Sequence, residues 1–267
     1  ETKNWERFEQ KMILQLHRYE AKGYHYSESA FTPAIQVKLD QNLEKLEIQF
    51  QRELNLYPLH YTLDGSVPSP ASPLYKSGEI VFSEGSRIRA QTFREGQTFG
   101  FPLDIEDLPN KATGGKMIYN CEWNSGYAAN GDKALTDAQL ATKRGDHPNW
   151  QGFRKVDLDI ILDLQGIDTV STCWIQFFQH VGMTSVLLPL SVEFYSSLDG
   201  IDYELIEEKI IPPDSRQEAM IRKVEILFAS KTIRYIQIKA RNPNALPKGH
   251  PRAGGDAWLF VDEIGAE

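Results

Sequence analysis

The strongest constraint on the fold is a run of nine residues, 156–164, in which every second side chain is aliphatic and most of the others are aspartate. A period of two places alternate side chains on opposite faces of an extended chain, so one face is buried and the other meets water. Residues 190–194, 233–238 and 258–261 are also typical of strands, and no long amphipathic helix separates them. These strand patterns therefore predict that the C-terminal half is a β-sandwich or jelly roll of about 150 residues.

The N-terminus has a different period. From residue 5 to residue 22 the apolar side chains lie three or four positions apart, on one face of a helix: Trp5, Phe8, Met12, Leu16 and Tyr19. Asn4 stands at an N-cap position and Gly23 at a C-terminal stop. A single helix needs a packing partner. It either covers the strands that follow or is the end of a larger upstream domain.

The middle of the chain returns to strand patterns. Residues 59–63 and 87–92 alternate, whereas the proline-rich segment 67–73 cannot be a central strand, because proline lacks the ladder donor. These signals predict a small antiparallel sandwich over about residues 34–105. Residues 108–115 are typical of a linker.

Charge and hydropathy exclude two classes of partner. The 267 residues include 29 basic and 37 acidic side chains, a net charge of −8, and no basic run that would bind nucleic acid. No apolar run approaches the roughly twenty residues that cross a bilayer. The two cysteines, Cys121 and Cys173, either form one disulfide or act as two buried thiols.

Three stretches resemble known families. Residues 61–68, 72–75 and 87–93 resemble the small sandwich near the C-terminus of bacterial chitobiases and β-hexosaminidases. The span 111–267 is similar to a discoidin (coagulation-factor C-type) domain, the galactose-binding jelly roll found beside many glycosidases. The similarity is carried by residues 134–137, 150–153, 196–200, 233–236 and 260–264.

Residues 4–8 and 23–26 are similar to the last helix and exit segment of a family-20 glycoside hydrolase barrel. In this order, the three stretches resemble the C-terminal portion of a bacterial β-N-acetylhexosaminidase without its catalytic barrel. The resemblance implies a mainly β chain with one N-terminal helix. It assigns residues 1–33 to the barrel-end helix, 34–110 to an immunoglobulin-like sandwich and 111–267 to a discoidin-type jelly roll. It also implies an upstream barrel and a periplasmic or extracellular location.

Catalytic residues are not expected in this chain. Glycoside hydrolysis needs a carboxylic acid beside the leaving oxygen, and family-20 enzymes use an adjacent Asp-Glu pair at a barrel mouth. The chain has such a pair, Asp262-Glu263, but only four residues follow it and it closes a strand of the sandwich. An accessory role is therefore expected, with independent hydrolysis as the alternative.

The resemblance gives Glu263 another role, as a calcium ligand. Discoidin-type domains beside glycosidases commonly place an Asp in a tight loop, a Thr five residues later and a Glu near the C-terminus. The matching side chains are Asp137, Thr142 and Glu263, with carbonyl oxygens from Ala134, Gln139 and Asp262. Ala138 departs from the family, which usually has glycine there, and would strain a turn of positive φ. The alternative is an Asp-led turn with Glu263 exposed.

A sugar site needs a flat apolar face and planar polar groups on loops at one end of the sandwich. The residues of these types near loop signals are Trp150, His180, Arg241, Asn242, His250 and Arg252. In the family, the position of Trp150 usually packs inside. The expected partner is a glycan of galactose or N-acetylhexosamine type. A structural or protein-contact module without sugar affinity is the alternative.

Overall fold

The computed structural model describes residues 5–25, 28–39, 46–52, 54–78, 80–82, 87–105, 110–141, 143, 145, 148–181, 184–213 and 218–267. Within these ranges the protein is mainly β, with one α-helix and fourteen strands in antiparallel sheets, as predicted. The chain divides into two compact units, Glu1–Leu108 and Pro109–Glu267. The predicted N-cap, Asn4, and the first linker residues, 108–109, lie outside the described residues.

The predicted helix is present as α1, Trp5–Ala21, and Gly23 follows it with φ of 72°. Leu16 is buried, but Phe8 is 47% exposed and Tyr19 is 39% exposed. The apolar face is therefore only partly covered within the first unit. An ion pair between Glu20 and Arg94 joins the end of the helix to the strands.

The first unit contains two antiparallel sheets. Its strands are β1 Ala34–Leu39, β2 Leu46–Gln51, β3 Leu59–Thr62, β4 Leu74–Tyr75, β5 Ile80–Phe82, β6 Ile88–Arg94 and β7 Gln97–Ile105. The orders are β1-β2-β5 and β4-β3-β6-β7. The proline-rich segment 67–73 leads into β4 at a sheet edge, where a missing N–H donor is tolerated. Thr92 donates to the Phe31 carbonyl at 2.7 Å, which fixes the short 3₁₀-helix Glu28–Phe31 against β6.

The second unit is one continuous antiparallel sheet of seven strands. These are β8 Lys116–Tyr119, β9 Gln151–Arg154, β10 Leu158–Gln179, β11 Ser191–Ser197, β12 Glu204–Ile210, β13 Met220–Ala240 and β14 Trp258–Ala266. The order is β12-β11-β13-β10-β14-β9, and β8 also pairs with β10. Each of the four strand patterns predicted from the sequence of this unit overlaps one of these strands, although β10 begins two residues after Val156 and β11 one residue after Leu190.

The long strands β10 and β13 form a ribbon that changes neighbours halfway. The first half of β10 pairs with β8, and its second half pairs with β14. The register shifts between Asp163 and Asp168, where Gln165 has φ of 64°. Asp163 is held there by a bidentate ion pair from Arg234, with N–O distances of 2.9 and 3.1 Å. Buried side chains from both halves form one core, among them Leu158, Ile160, Leu162, Ile175 and Phe177.

The two cysteines do not form a disulfide, which decides between the alternatives left by the sequence. Cys173 is fully buried, and burial raises the pKa of its thiol to about 12. The Cys121 thiol lies against the Asp159 backbone. Both are separate thiols inside the second unit.

No helix in the described part of the chain is long and apolar enough to cross a membrane.

Candidate functional site

Three carboxylates lie together in the second unit, where the loop of residues 134–141 meets the final strand. Asp137 belongs to that loop and is 6% exposed, whereas Asp262 and Glu263 belong to β14 and are fully buried. We call these three side chains the acidic centre. The backbone of Ile264 donates to the Leu135 carbonyl at 2.9 Å, which holds the loop on the strand.

The Asp137 carboxylate accepts two hydrogen bonds, one from within the loop and one from Asn130 just before it. The Gln139 N–H donates to Oδ1 at 2.9 Å, and the Asn130 side-chain amide donates to Oδ2 at 2.8 Å. The loop is therefore an Asp-led turn, as one of the two interpretations of the sequence supposed. The part of that interpretation that left Glu263 exposed is wrong, because Glu263 is inside the protein.

Asp262 and Glu263 each have one oxygen that is hydrogen-bonded and one that is not. The Ala141 N–H donates to Asp262 Oδ2 at 2.9 Å, and the Ala138 N–H donates to Glu263 Oε1 at 3.1 Å. Asp262 Oδ1 and Glu263 Oε2 are buried without a hydrogen-bond partner among the described residues. A buried oxygen of this kind is costly unless something outside the protein chain satisfies it.

Burial and mutual repulsion disfavour the charged forms of the acidic centre. Burial raises the pKa of Asp262 to about 7 and, with the charges of Asp137 and Asp262, raises the pKa of Glu263 well above its ordinary value. Burial also raises the pKa of Asp137. In the described part of the chain no Lys, Arg or His pairs with these carboxylates. A bound cation would supply the missing positive charge.

The oxygen-only donor set suits calcium, which prefers hard oxygen ligands from carboxylates and carbonyls. In the described residues no group of three or more His, Cys, Asp or Glu side chains is placed to hold a metal by itself. An ion here would therefore also need carbonyl oxygens such as those predicted for Ala134 and Gln139. Thr142, the remaining predicted ligand, lies outside the described residues.

Ala138, which stands where the discoidin-type domains that the sequence resembles usually have glycine, adopts φ of 59°. The turn thus has the left-handed backbone that favours glycine, and the alanine methyl is strained there. This backbone conformation explains why glycine is usual at this position in the domains that the sequence resembles.

Asp262 and Glu263 are too deeply buried to reach a substrate, so their geometry suits holding a cation better than acid catalysis.

A second candidate region lies where β10 and β13 end. The Leu190 N–H donates to the Arg241 carbonyl at 2.8 Å, and the Leu187 N–H donates to the Trp258 carbonyl at 3.0 Å. The Ile211 N–H donates to the Leu190 carbonyl at 2.9 Å. The segments 180–190 and 241–257 are thereby brought together, and we call this part of the molecule the loop end.

Two of the predicted sugar-binding residues are interior. Trp150 is fully buried, with its ring 5.2 Å from that of Phe178, as the family resemblance anticipated. Asn242 is also fully buried, and its amide donates to the carbonyls of Phe153 and Val156 at 3.3 and 3.1 Å. Asn242 therefore holds the loop in place, and the prediction that it contacts sugar is wrong because no part of its side chain is accessible.

His250 joins the two loop segments. It is 9% exposed, its Nδ1 accepts from the Arg252 N–H at 3.0 Å, and its Nε2 lies 3.1 Å from the Thr184 carbonyl. Since Nδ1 accepts, Nε2 carries the hydrogen and donates to Thr184. Both ring nitrogens are thus used within the protein, which makes His250 a positioning residue.

The other three predicted residues remain accessible. Arg241 and Arg252 are exposed, and His180 is half-buried with its ring edge-on to Phe178 at 6.3 Å. His180 and Arg241 directly follow the ends of β10 and β13, and Arg252 lies in the connection between β13 and β14, so all three belong to the loop end. Sequence reasoning could not distinguish them from Asn242, which occupies the same kind of position.

A groove with a volume of 530 Å³ opens at the loop end. Leucines and prolines form most of its wall: Leu187, Leu188, Pro189, Leu190, Pro212, Pro213, Pro243, Pro247 and Pro251. Lys248 and His250 add polar groups. The sequence analysis missed this groove because its residues are not the types that usually mark a sugar site, although the density of prolines was visible.

The chain is similar to several known proteins. A protein-family profile described as "Fn3 associated" matches residues 47–99. No curated protein matches the chain. Among solved structures, chitosan-binding module 1 of a chitosanase/glucanase from Paenibacillus sp. IK-5 is similar, with a TM-score of 0.38 and 13% identity. That match covers 59% of this chain and 98% of the module.

Two modules from Clostridium perfringens are also similar. CBM32-1 of a family 31 glycoside hydrolase has a TM-score of 0.35 and 21% identity, and the match covers 56% of this chain and 92% of that one. CpGH89CBM32-4, solved with GlcNAc-α-1,4-galactose, has a TM-score of 0.37 and 15% identity. This match covers 59% of this chain and 92% of that one.

Proposed function

We propose that this chain is a carbohydrate-binding accessory region of a bacterial glycosidase of the β-N-acetylhexosaminidase type. The observation that carries the proposal is the loop end, where Arg241 and Arg252 are exposed on one of the segments that form an open groove, although neither arginine lines the groove itself. The order of the three resembling segments supports the hexosaminidase assignment. In this proposal the upstream catalytic barrel performs the chemistry, and the region described here supports it and holds it on glycan.

The chemistry of the loop end suits a neutral sugar. Guanidinium groups donate several hydrogen bonds in fixed directions, which matches the hydroxyl groups of a pyranose. Leu187, Pro189 and Pro247 provide an apolar wall for the opposite, carbon-rich face of the ring. A galactose or N-acetylhexosamine residue has both kinds of surface, and it is the ligand that the proposal assigns.

The proposal includes one calcium ion at the acidic centre. Asp137 and Glu263 would contribute carboxylate oxygens, with Thr142 and the carbonyls of Ala134, Gln139 and Asp262 completing the set. The ion would neutralise buried charge and join the loop of residues 134–141 to β14. Its role is structural, since it stabilises the unit that carries the loop end. The expected location is periplasmic or extracellular.

A glycan array with the purified chain tests the carbohydrate proposal. Binding to galactose-terminated or N-acetylhexosamine-terminated glycans is expected, and the Arg241→Ala/Arg252→Ala double variant should lose at least tenfold in affinity. Lys231→Ala is the control, because it removes a positive charge on β13 that is paired with Glu204 and does not line the groove. An array without any bound glycan, for protein that is folded and loaded with calcium, would refute the proposal.

The apolar groove favours one alternative, a structural module that contacts another protein. Its leucine and proline wall would equally suit an apolar segment of a neighbouring domain. The two functions separate experimentally. A Leu190→Asp change, at a groove side chain that is 40% exposed and outside the proposed sugar wall, would weaken a protein contact and leave sugar binding largely intact.

A further inference from the structure

A second cavity, of 460 Å³, lies beside β8 in the second unit. We call it the β8 pocket. It shares no lining residue with the groove at the loop end. Its wall consists of Met117, Ile118, Tyr119, Cys121, Glu122, Trp123 and Asp132. The volume is within the range of about 300–1,000 Å³ that is usual for small-molecule sites.

Two aromatic rings form a corner of the β8 pocket. The ring centroids of Tyr119 and Trp123 are 4.6 Å apart, and the planes meet at 69°. The Tyr119 hydroxyl is buried and faces the side chain of Gln151. What Tyr119 offers to the pocket is therefore its ring. Trp123 is half-buried, so part of its indole is accessible.

Two carboxylates complete the wall, and both are exposed. Neither Glu122 nor Asp132 makes an ion pair or a side-chain hydrogen bond in the described part of the chain. Asp132 lines the pocket together with the aromatic corner. Burial raises the pKa of the Tyr119 phenol, and the charge of Asp132 adds to this shift. Lys116 and Lys133 are the basic neighbours in sequence, and both point to solvent as exposed residues.

Aromatic rings beside unpaired carboxylates recognise a cation with an apolar face. A cation over an aromatic ring is stabilised by about 0.5–2 kcal/mol, and a carboxylate adds a charge-assisted hydrogen bond to an ammonium group. An acetylated amine lacks the charge and would gain neither interaction. The carbon-rich face of a sugar ring matches the flat indole of Trp123 better than a thin alkyl chain does.

We propose that the β8 pocket binds an amino sugar whose amine is free and protonated, such as a glucosamine unit. Trp123 stacks on the ring, and Glu122 and Asp132 bind the ammonium group. The inference rests on the proposed carbohydrate-binding function for the choice of a sugar, but it places the cationic sugar at a different site from the loop end. The protein would then distinguish deacetylated from acetylated units.

Calorimetric titration of the whole chain with a glucosamine tetramer at pH 6, where the amine is protonated, tests this site. The Glu122→Gln/Asp132→Asn variant should bind at least tenfold more weakly, and Trp123→Ala should also lose affinity. Both carboxylates are exposed, so the double variant keeps its fold. The control, Asp202→Asn/Glu218→Gln, removes the same charge elsewhere on the second unit and should bind as the parent does.

Three outcomes would overturn the proposal. They are equal weakening in the control variant, tighter binding of spermidine than of the tetramer, and unchanged binding in the Trp123→Ala variant. The acetylated tetramer separates this site from the loop end. Its binding should depend on Arg241 and Arg252 and should survive the Glu122→Gln/Asp132→Asn changes. Loss of only one of the two binding events identifies which proposal has failed.

Discussion

The backbone N–H of Ala138 donates a hydrogen bond to the Glu263 carboxylate across 125 residues of chain. This bond, with the matching one from Ala141 to Asp262, wraps the loop of residues 134–141 around the final strand. The start and the end of the second unit are thereby joined at the acidic centre. The stability of the whole unit should therefore depend on how the charge of that centre is balanced.

Calcium should raise the melting temperature of the second unit, and EDTA should lower it. A ligand bound only by the folded state adds about 2.7 kcal/mol when its concentration is one hundred times Kd. For a domain of this size that corresponds to roughly 5–10 °C. Differential scanning calorimetry with calcium and with EDTA measures the shift, and the transition of the first unit should hardly move.

Variants of the acidic centre make the calcium prediction specific. Asp137→Ala and Glu263→Ala should abolish the response to EDTA, whereas Asp202→Ala, at an exposed site, should retain it. Glu263→Gln keeps an acceptor for the Ala138 N–H but removes a buried charge. In EDTA at pH 8 it should therefore melt above the parent protein. A parent protein with no bound metal and an unchanged melting curve in EDTA would contradict the site.

Replacing Ala138 by glycine should stabilise the second unit. A left-handed conformation costs an L-residue about 1–2 kcal/mol, and glycine removes that cost. Part of the gain is offset by the loss of a buried methyl group, so a net stabilisation of about 0.5–1 kcal/mol is expected. The free energy of unfolding from urea titration measures it.

Ala141→Gly is the matched control for this change. Ala141 is 8% exposed in the same loop, and its φ is not positive. Glycine there adds freedom to the unfolded chain and also removes a buried methyl group, so it should destabilise by at least about 0.5–1 kcal/mol. If both changes had the same sign, the backbone of Ala138 would not be strained as described.

The strands were the part of the fold that local sequence could predict. The alternation in residues 156–164 reports burial on one face directly, and the structure has it in β10. The extent of β10, 22 residues from Leu158 to Gln179, was not visible. It depends on the bulge after Asp163 and on the ion pair from Arg234, which is 71 residues away in sequence.

The candidate sites were less predictable because side-chain burial is decided by tertiary contacts. Arg241 and Asn242 are adjacent in the sequence, yet one is exposed and the other is fully buried. Nothing in the local pattern separates them. The β8 pocket was missed for the same reason, since Trp123 and Asp132 line one pocket only because the chain turns through the 3₁₀-helix Ser125–Tyr127 and then the 3₁₀-helix Gly131–Lys133, which contains Asp132.

The first unit should lose stability in acid through Asp104. Arg87 and Arg89 donate to its carboxylate at 2.8 Å, and the hydrogen bond from Arg87 is the main reason why the pKa of Asp104 falls to about 2. A folded pKa below the unfolded one gives stability that is complete above pH 4 and is lost as the pH falls towards 2. Because the site is partly exposed, the loss should be below about 1 kcal/mol.

Urea titrations of the whole chain at pH 7, 4 and 3 test the role of Asp104. The quantity to measure is the free energy of unfolding of the first unit. Asp104→Asn should lower stability at pH 7 and flatten the acid dependence. Glu95→Gln removes an exposed carboxylate from the turn of the same β6–β7 hairpin and should leave the dependence as it is. An Asp104→Asn variant with the full acid dependence of the parent would show that other carboxylates cause it.

Gly265→Ala should be the most damaging small substitution in the second unit. Gly265 pairs with Trp174 across β14 and β10, and a Cβ there would meet the indole ring far inside the contact distance of carbon atoms. Overpacking of a rigid core costs about 1–3 kcal/mol, so a loss at the upper end is expected. Gly166→Ala is the control, because a Cβ at Gly166 meets nothing within 4 Å and the cost should stay within about 0.5 kcal/mol.

A double variant identifies the cause of this loss. Trp174 is 2% exposed and its Nε1 has no hydrogen-bond partner in the described part of the chain, so Trp174→Phe removes ring volume without breaking a hydrogen bond. If the clash with the indole destabilises Gly265→Ala, the double variant Gly265→Ala/Trp174→Phe should recover at least half of the lost free energy of unfolding. Additive losses in the double-mutant cycle would show instead that the contact with the indole is not the cause.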